Sequence, residues 1–338
     1  MNGHVDPRQA WERLREYRWS PPDGAGDGAR CRTFVSALDQ MEQIFHAAAM
    51  TDLCALPLQV FHGLSQAGRA IAAAAGRLGY EDWRLVAPGI ATSGGDRGVA
   101  DIEIRTDPPG SRSSFVRLSE LLHSPVWERV PVRLEDVWDT LPVNLGHPLT
   151  DRHRSTPLYA AYGSRGEHDQ LLLGRPADEL PPWSVGADCP QILDAYLAQV
   201  SETAHDSYLP PPSRPQAVPG PAPRASGGRA PRRWFTSRRR SNEIASPVVL
   251  PAATRSYMGQ LYRFPVIAPL PRELHPLMAW WAILYALSRL AHDDPANWAL
   301  HISFVGSRHA LPLEQLFESA LTHLPVLIAD TIEDLAMG

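Results

Sequence analysis

The chain has 338 residues, of which 44% are hydrophobic and 20% charged, and its formal net charge is -5 at pH 7. This balance is typical of a folded protein and excludes a chain that is disordered throughout. All 32 residues in the combined count of Lys and Arg are Arg, which we attribute to codon bias in GC-rich DNA. Cys31, Cys54 and Cys189 lie far apart without a CxxC spacing, which argues against a disulfide framework and favours a reducing compartment.

Two helices are predicted before residue 80. In TFVSALDQMEQIFHAAAM the apolar residues recur at steps of three and four, the spacing of an amphipathic helix: Phe34, Leu38, Met41, Phe45 and Ala48. A second helix is predicted from Leu58 to Leu78, with Pro57 in its first turn and Gly79 as its stop.

The second predicted helix contains FHGLSQAGRAI, in which a serine lies between two glycines. Gly63, Ser65 and Gly68 have the spacing G-x-S-x-x-G, whereas a nucleophile elbow is G-x-S-x-G at a turn from strand to helix. We therefore do not expect a serine hydrolase. Small residues on this helix are instead suited to close packing against a neighbour.

A polar stripe follows one face of the same helix. His62, Ser65 or Gln66, and Arg69 recur at i, i+3 or i+4, and i+7. Two interpretations stay open. Arg69 could anchor a loop or a neighbouring carboxylate while His62 is a core histidine, or Arg69 could hold a phosphate or another anion.

A small antiparallel sheet is predicted after the second helix, from the short segments WRLVAPGIAT, VADIEIRTD and SSFVRL. VRLEDVWDTLP returns to helical spacing, STPLYAAYG predicts a strand, and PQILDAYLAQVSETA predicts a helix.

The segment 207–242 is rich in Pro, Gly, Ser and Arg and is predicted to be a flexible linker or a long loop. Basic residues interleaved with an aromatic ring suit a nucleic-acid backbone and its bases. The candidates for such contact are Arg232, Arg233, Trp234, Arg238, Arg239 and Arg240. The alternative is a solvated basic tract without a ligand.

The most apolar predicted helix runs from Glu273 to about Asp293 and is hydrophobic around most of its circumference. Such a helix lies in a core or at a subunit interface, so Trp280 and Trp281 are candidates for a homodimer contact. Its apolar run, Leu277 to Leu287, is too short to span a bilayer, which needs about 20 residues. One or two short strands are predicted before this helix, and two helical segments separated near Pro325 are predicted after it.

His292, Asp293, Asp294 and His301 follow that helix closely in LSRLAHDDPANWALHI. Neither an H-x-x-x-H pair nor an H-E-x-x-H motif is present, so we predict no metal site and no cofactor. The acidic pair before Pro295 is instead predicted to stop one helix and to cap the next.

Two blocks of the sequence resemble the YaaC-like protein family. The first is VFHGLSQAGRAIAAAAGRLGYEDWRL, where Phe61 to Ile71, Trp83 to Leu85, and Gly89 with Ile90 match the family pattern. The second is LHPLMAWWAILYALSRLAHDDPANW, where the matching residues are Leu287, Ser288, Leu290, Pro295 and Trp298. Relatives have Arg-Tyr where this chain has His292 and Asp293. The resemblance implies a shared fold more than an activity.

The first block is also similar, more loosely, to a helix of HEPN domains, which are helical bundles found in toxins and defence ribonucleases. The aligned residues are Phe61, His62, Ala67, Arg69 and Ala70. HEPN ribonucleases use an R-x4-6-H motif, but Arg289 is not followed by a histidine at these offsets. The resemblance therefore implies the scaffold and not that motif.

These observations predict an α+β fold that is predominantly α, a HEPN-like helical bundle with an inserted small antiparallel β region. The predicted parts are 1–206, the linker 207–242, and a helical segment 243–338 that packs on the N-terminal helices to form one composite domain.

Two functions are consistent with the sequence. The first is a non-catalytic cytoplasmic binding or scaffold protein, since no complete catalytic constellation is present and the N-terminus lacks the apolar region of a secretory signal. The second is an enzyme acting on RNA or nucleotides, such as a degenerate HEPN ribonuclease of a defence or toxin system. In it Arg69 would hold phosphate and His62 or His292 would act as acid or base. RNA or another protein is the expected partner, and we expect no membrane.

Overall fold

The computed structural model describes residues 6–79, 81–152, 154–165, 168–176, 207–209, 232–238 and 254–337. The chain divides into two compact units. The first combines Met1–Thr156 with Ile267–Gly338, and the second is Pro157–Val266. The predicted helix in PQILDAYLAQVSETA lies outside the described residues.

The first unit is built mainly of helices. They are α1 Pro7–Trp19, α2 Gly28–Ala48, α3 Leu56–Ala74, α4 Ser114–Leu121, α5 Leu134–Asp139, α6 Pro276–Asp293, α7 Pro295–His301 and α8 Ala310–Met337. A three-stranded antiparallel sheet in the order β1-β2-β3 joins them, formed by β1 Ile90–Ser93, β2 Glu103–Thr106 and β3 Val132–Arg133.

The second unit contains a six-stranded antiparallel sheet in the order β6-β7-β5-β4-β9-β8. Its strands are β4 Leu158–Arg165, β5 His168–Pro176, β6 Ser207–Leu209, β7 Arg232–Arg238, β8 Thr254–Tyr257 and β9 Gln260–Arg263. Two of them, β6 and β7, fall inside the segment 207–242 that the sequence predicts to be a linker. Most of the rest of that segment lies outside the described residues.

The predicted fold class, α+β with a predominance of helix, is confirmed. Helices α6 and α8 pack on α3, and α8 also packs on α1, so the N-terminal and C-terminal parts of the chain share one core. None of the described helices is both long and apolar enough to cross a membrane. Asp294 caps α7, where its side chain accepts a hydrogen bond from Asn297 N, as the acidic pair before Pro295 predicts.

Helix α3 forms the centre of the first unit through close approach of small residues. A Cβ atom added at Gly68 would lie 2.6 Å from two ring carbons of Trp281, and one at Gly63 would lie 2.7 Å from Phe45. Real Cβ atoms do not approach other atoms so closely, so α2 and α6 can reach α3 only because both positions are glycine. The predicted packing role of the two glycines is confirmed.

The predicted strand in SSFVRL is wrong, because this segment forms α4. Its buried residues, Phe115, Val116, Leu118, Ser119 and Leu121, recur at helical steps and face the core. Six residues are too few to separate a period of 3.6 from one of 2. The third strand of the small sheet is Val132–Arg133 instead.

The predicted break near Pro325 is also wrong, because α8 continues through this proline. A proline inside a helix removes one hydrogen bond and is costly. Here Leu324, Val326 and Ile328 are fully buried around it, so the burial of apolar surface on both sides outweighs the break.

The tryptophans predicted as a homodimer contact lie in the core. Trp280 is 0% exposed and Trp281 is 1% exposed within the single chain. Their side chains are therefore used inside the first unit and are not available to a second copy. Dimerisation stays a prediction, and the contact between two copies would have to form on another surface.

Partly buried His323 on α8 should make the stability of the protein depend on pH. Burial lowers the pKa of His323 to about 4 from the usual 6.5, so the unfolded chain binds a proton between these values and the folded chain does not. Stability from this residue is complete above pH 6.5 and is lost as pH falls toward 4. Between pH 7 and pH 5 we expect the free energy of unfolding to fall by about 2 kcal/mol on account of His323.

Denaturant unfolding at pH 7, 6 and 5 checks this expectation with His323→Leu, which should remove the loss. His62→Leu, on the exposed side of α3, controls for the removal of a histidine as such. Asp139 acts in the opposite sense, because burial raises its pKa to about 6 against the lowering effect of Arg154. The test therefore compares how the free energy of unfolding changes with pH in the wild type and in the variants, rather than the value of that change in one protein. The expectation would be contradicted if the free energy of unfolding of His323→Leu fell between pH 7 and pH 5 by as much as that of the wild type.

Candidate functional site

A cavity of about 470 Å³ opens in the first unit where three loop segments meet. We call it the arginine pocket. Its lining residues are Arg97, Gly98, Ala100, Asp101, Thr150, Asp151, Arg152, Arg308 and His309. Its volume lies in the range of about 300–1,000 Å³ that is usual for small-molecule sites.

Local turns position these side chains. Gly98 has a φ of 116°, a conformation that side-chain-bearing residues rarely adopt, so glycine allows the chain to turn between Arg97 and Asp101. On the third segment, His309 immediately precedes α8, and its backbone N–H donates to Ser307 Oγ over 3.1 Å.

Asp101 and Arg152, which line the arginine pocket, belong to a network of ion pairs with Arg133 and Glu135. Arg152 Nη1 lies 3.2 Å from Asp101 Oδ1 and 2.7 Å from Glu135 Oε1. Arg133 Nη2 contacts the same two carboxylates, and Thr150 Oγ1 donates to Glu135 Oε2 over 2.7 Å. The Glu135 side chain is only 9% exposed. Asp101 Oδ1 and both oxygens of Glu135 are thus engaged, and the two carboxylates hold Arg152 in place.

The rim of the pocket carries two further arginines with weaker attachments. Arg97 Nη2 lies 2.9 Å from Glu103 Oε1, and this hydrogen bond lowers the pKa of Glu103. Arg308 Nη1 lies 3.4 Å from Asp151 Oδ2, and the Asp151 side chain is 95% exposed. Each guanidinium has five N–H donors, and these contacts engage few of them.

A pair of histidines adjoins the pocket. The Nδ1 atoms of His301 and His309 are 3.4 Å apart, and Arg308 Nε lies 3.4 Å from His309 Nε2. Burial lowers the pKa of both histidines, and the charge of Arg308 and the neighbouring His301 lower that of His309 further. Both rings are therefore neutral at pH 7, and each can donate one hydrogen bond and accept another.

The catalytic candidates taken from the sequence are not gathered at one place. Arg69 is exposed on α3, where its Nη1 donates to Gln66 Oε1 over 3.1 Å. His62 is exposed as well, so its interpretation as a core histidine is wrong. The Arg69 contact is with a residue of its own helix, rather than with a loop or a carboxylate.

His292 lies at the far end of α6, with its Nδ1 2.8 Å from Asp293 Oδ1. Trp281 packs against Gly68, the residue next to Arg69. With a rise of about 1.5 Å per residue, His292 is roughly 16 Å further along α6 than Trp281. The arrangement of α3 and α6 therefore separates Arg69 from His292.

Four of the nucleic-acid candidates, Arg232, Arg233, Trp234 and Arg238, belong to β7. In the pairing of β7 with β5, Arg233 is opposite Arg175 and Trp234 is opposite Gly174. Arg239 and Arg240 lie outside the described residues. Contact with nucleic acid through this segment stays a prediction.

Sequence reasoning did not single out the pocket arginines Arg97, Arg152 and Arg308, nor His309. Each lies in a turn segment that looks ordinary by itself: GGDRGVAD, LTDRHR and VGSRHA. The only available signal was the repeated pairing of Arg with Asp, Gly or Ser in loops. Among the described residues, no group of three His, Cys, Asp or Glu side chains is placed to hold a metal ion.

The family model of the YaaC-like protein matches residues 8–332. The chain belongs to the YaaC-like protein family. The match covers the second unit, most of the first unit and every residue of the arginine pocket, which is therefore part of the YaaC-like region. No match was found among curated proteins or among solved structures. The similarity to HEPN domains stays a prediction.

Proposed function

We propose that this YaaC-like protein is a non-catalytic binding protein of the cytoplasm and that the arginine pocket holds its ligand. The observation that carries the proposal is the ion-pair network around Arg152. Its guanidinium is held by Asp101 and Glu135 before any ligand arrives, and a group that is already ordered loses less conformational entropy on binding.

The arrangement of titratable groups favours binding over catalysis. Asp101 Oδ1 accepts from the guanidinium groups of Arg133 and Arg152, so this oxygen is already used as a hydrogen-bond acceptor within the protein. Of the two histidines that the enzyme hypothesis offers as acid or base, His292 lies apart from Arg69, whereas His62 shares the exposed side of α3 with it. His309 is the one neutral acid-base group at the wall of the pocket, and it makes the enzyme alternative testable.

Binding and turnover can be measured on the same samples of full-length protein. ATP, single-stranded RNA and citrate serve as probes, with binding followed by the change in Tm and the integrity of each probe followed by NMR or gel electrophoresis. We expect at least one probe to raise Tm and all three to remain intact. The absence of any rise in Tm would count against a ligand in the pocket.

Conversion of any of these probes to a product would show that the protein is an enzyme instead. In that case His309→Ala should abolish the reaction if the pocket is the active site. His62→Ala and Arg69→Ala should abolish it if the face of α3 is the active site. Because His62 and Arg69 are exposed, their substitution should leave the fold intact, so the two sites can be told apart.

A further inference from the structure

The arginine pocket has more hydrogen-bond donors than acceptors. Asp101 Oδ1 and both carboxylate oxygens of the adjoining Glu135 are already bound by Arg133, Arg152 and Thr150. Arg152 makes both of its contacts through Nη1, so most of its five donors are still available to a guest. A ligand that pairs with these remaining guanidinium donors must bring acceptors.

We infer that the pocket binds a small anion that carries one or more phosphate groups, such as a pyrophosphate or a phosphomonoester. This inference rests on the proposed function and adds the chemical class of the ligand. Phosphate oxygens match the planar fork of arginine and accept two parallel hydrogen bonds from it. The volume of about 470 Å³ exceeds the size of a single phosphate ion and leaves room for an attached group.

The Asp151 carboxylate occupies the position beside Arg308 that the phosphate group of the ligand takes. Its carboxylate lies 3.4 Å from Arg308 Nη1 and its side chain is 95% exposed, so the ion pair is weak and easily exchanged. A phosphate group carries more charge than a carboxylate and replaces Asp151 on Arg308. Asp151 thus competes with the ligand.

A cation is the opposite class of guest, and the geometry opposes it. Asp101 and Asp151 both line the pocket, but Asp101 is bound by two guanidinium groups, and Arg97, Arg152 and Arg308 would repel a metal ion. The two classes predict opposite effects of one substitution. Asp151→Asn removes a competitor of an anion, whereas it removes a ligand of a cation.

The test titrates the full chain with inorganic pyrophosphate by calorimetry at constant ionic strength, with succinate as a non-phosphate dianion. We expect pyrophosphate to bind more tightly than succinate. Arg308→Gln should weaken pyrophosphate binding about tenfold, and Asp151→Asn should strengthen it several-fold. Arg32→Gln, on the exposed face of α2, should leave the affinity unchanged. A gain of affinity cannot come from misfolding, so Asp151→Asn keeps the test independent of stability.

Each other outcome has a defined meaning. Weaker binding of pyrophosphate in Asp151→Asn, or no response to either pocket variant, would overturn the phosphate site. Succinate binding as tight as pyrophosphate, with the same response to the variants, would overturn the phosphate class and leave the proposed binding function intact. Hydrolysis of bound pyrophosphate would overturn the non-catalytic function and leave the phosphate site intact.

Discussion

Gly68→Ala should lower the free energy of unfolding by about 2 kcal/mol, although alanine is the better helix former by about 1 kcal/mol. The new Cβ would lie 2.6 Å from ring carbons of Trp281 and 2.9 Å from Leu118 Cδ1. Both neighbours are buried, and Trp281 is in turn packed edge-on against Phe61 with ring centroids 5.8 Å apart. The tryptophan therefore cannot move away without disturbing the contact between α3 and α6.

Chemical denaturation of the wild type and the variant measures this effect. Gly79→Ala is the matched control, because a Cβ at Gly79 would meet nothing within 4 Å. If Gly68→Ala were as stable as the wild type or more stable, helix propensity would outweigh packing. The inference that Trp281 leaves no room for a Cβ atom at position 68 would then be wrong.

Arg30→Ala should lower the free energy of unfolding by about 3 kcal/mol, because this side chain completes the C-terminal end of α3. Its Nε donates to Ala73 O over 2.7 Å, its Nη1 to Leu78 O over 2.8 Å, and its Nη2 to Ala75 O. The last carbonyl groups of a helix have no partner within the helix, and a positive charge there is favoured by the helix dipole.

Arg30→Lys separates the two contributions. Lysine keeps the charge at the end of α3 but cannot donate in several directions from one planar group, so we expect a loss between those of the wild type and Arg30→Ala. Arg32→Ala, two residues away and exposed on α2, is the control and should change stability by less than about 0.5 kcal/mol. Equal stability of Arg30→Ala and Arg32→Ala would contradict the capping role.

The arginine pocket and the capping of α3 show one residue type used in two ways. Arg30 satisfies backbone carbonyl groups and is structural, whereas Arg308 has an exposed and weak partner in Asp151. The absence of lysine from the sequence therefore has no single structural meaning. The function of each arginine depends on what its guanidinium meets in the folded chain.

Long periodic segments were predicted well from the sequence. The amphipathic pattern from Phe34 to Ala48 lies within α2, and the apolar segment that ends at Asp293 forms α6. Shorter or interrupted segments were not. SSFVRL is too short to show its period, and Pro325 lies inside α8 because its neighbours are buried. The predicted end of the second helix at Leu78 is wrong, because α3 ends at Ala74 and its stop signal is Gly76 rather than Gly79.

By itself, the sequence determined the family, the predominance of helix and the two glycines that allow close packing on α3. These features depend on residue types and their spacing within segments, which can be read along the chain without knowing which segments meet. Only the tertiary structure decided that Trp280 and Trp281 belong to the core and that Arg69 and His292 are apart. It alone brought Arg97, Arg152 and Arg308 to one pocket. The physical reason is that burial and ion pairing depend on which distant segments meet.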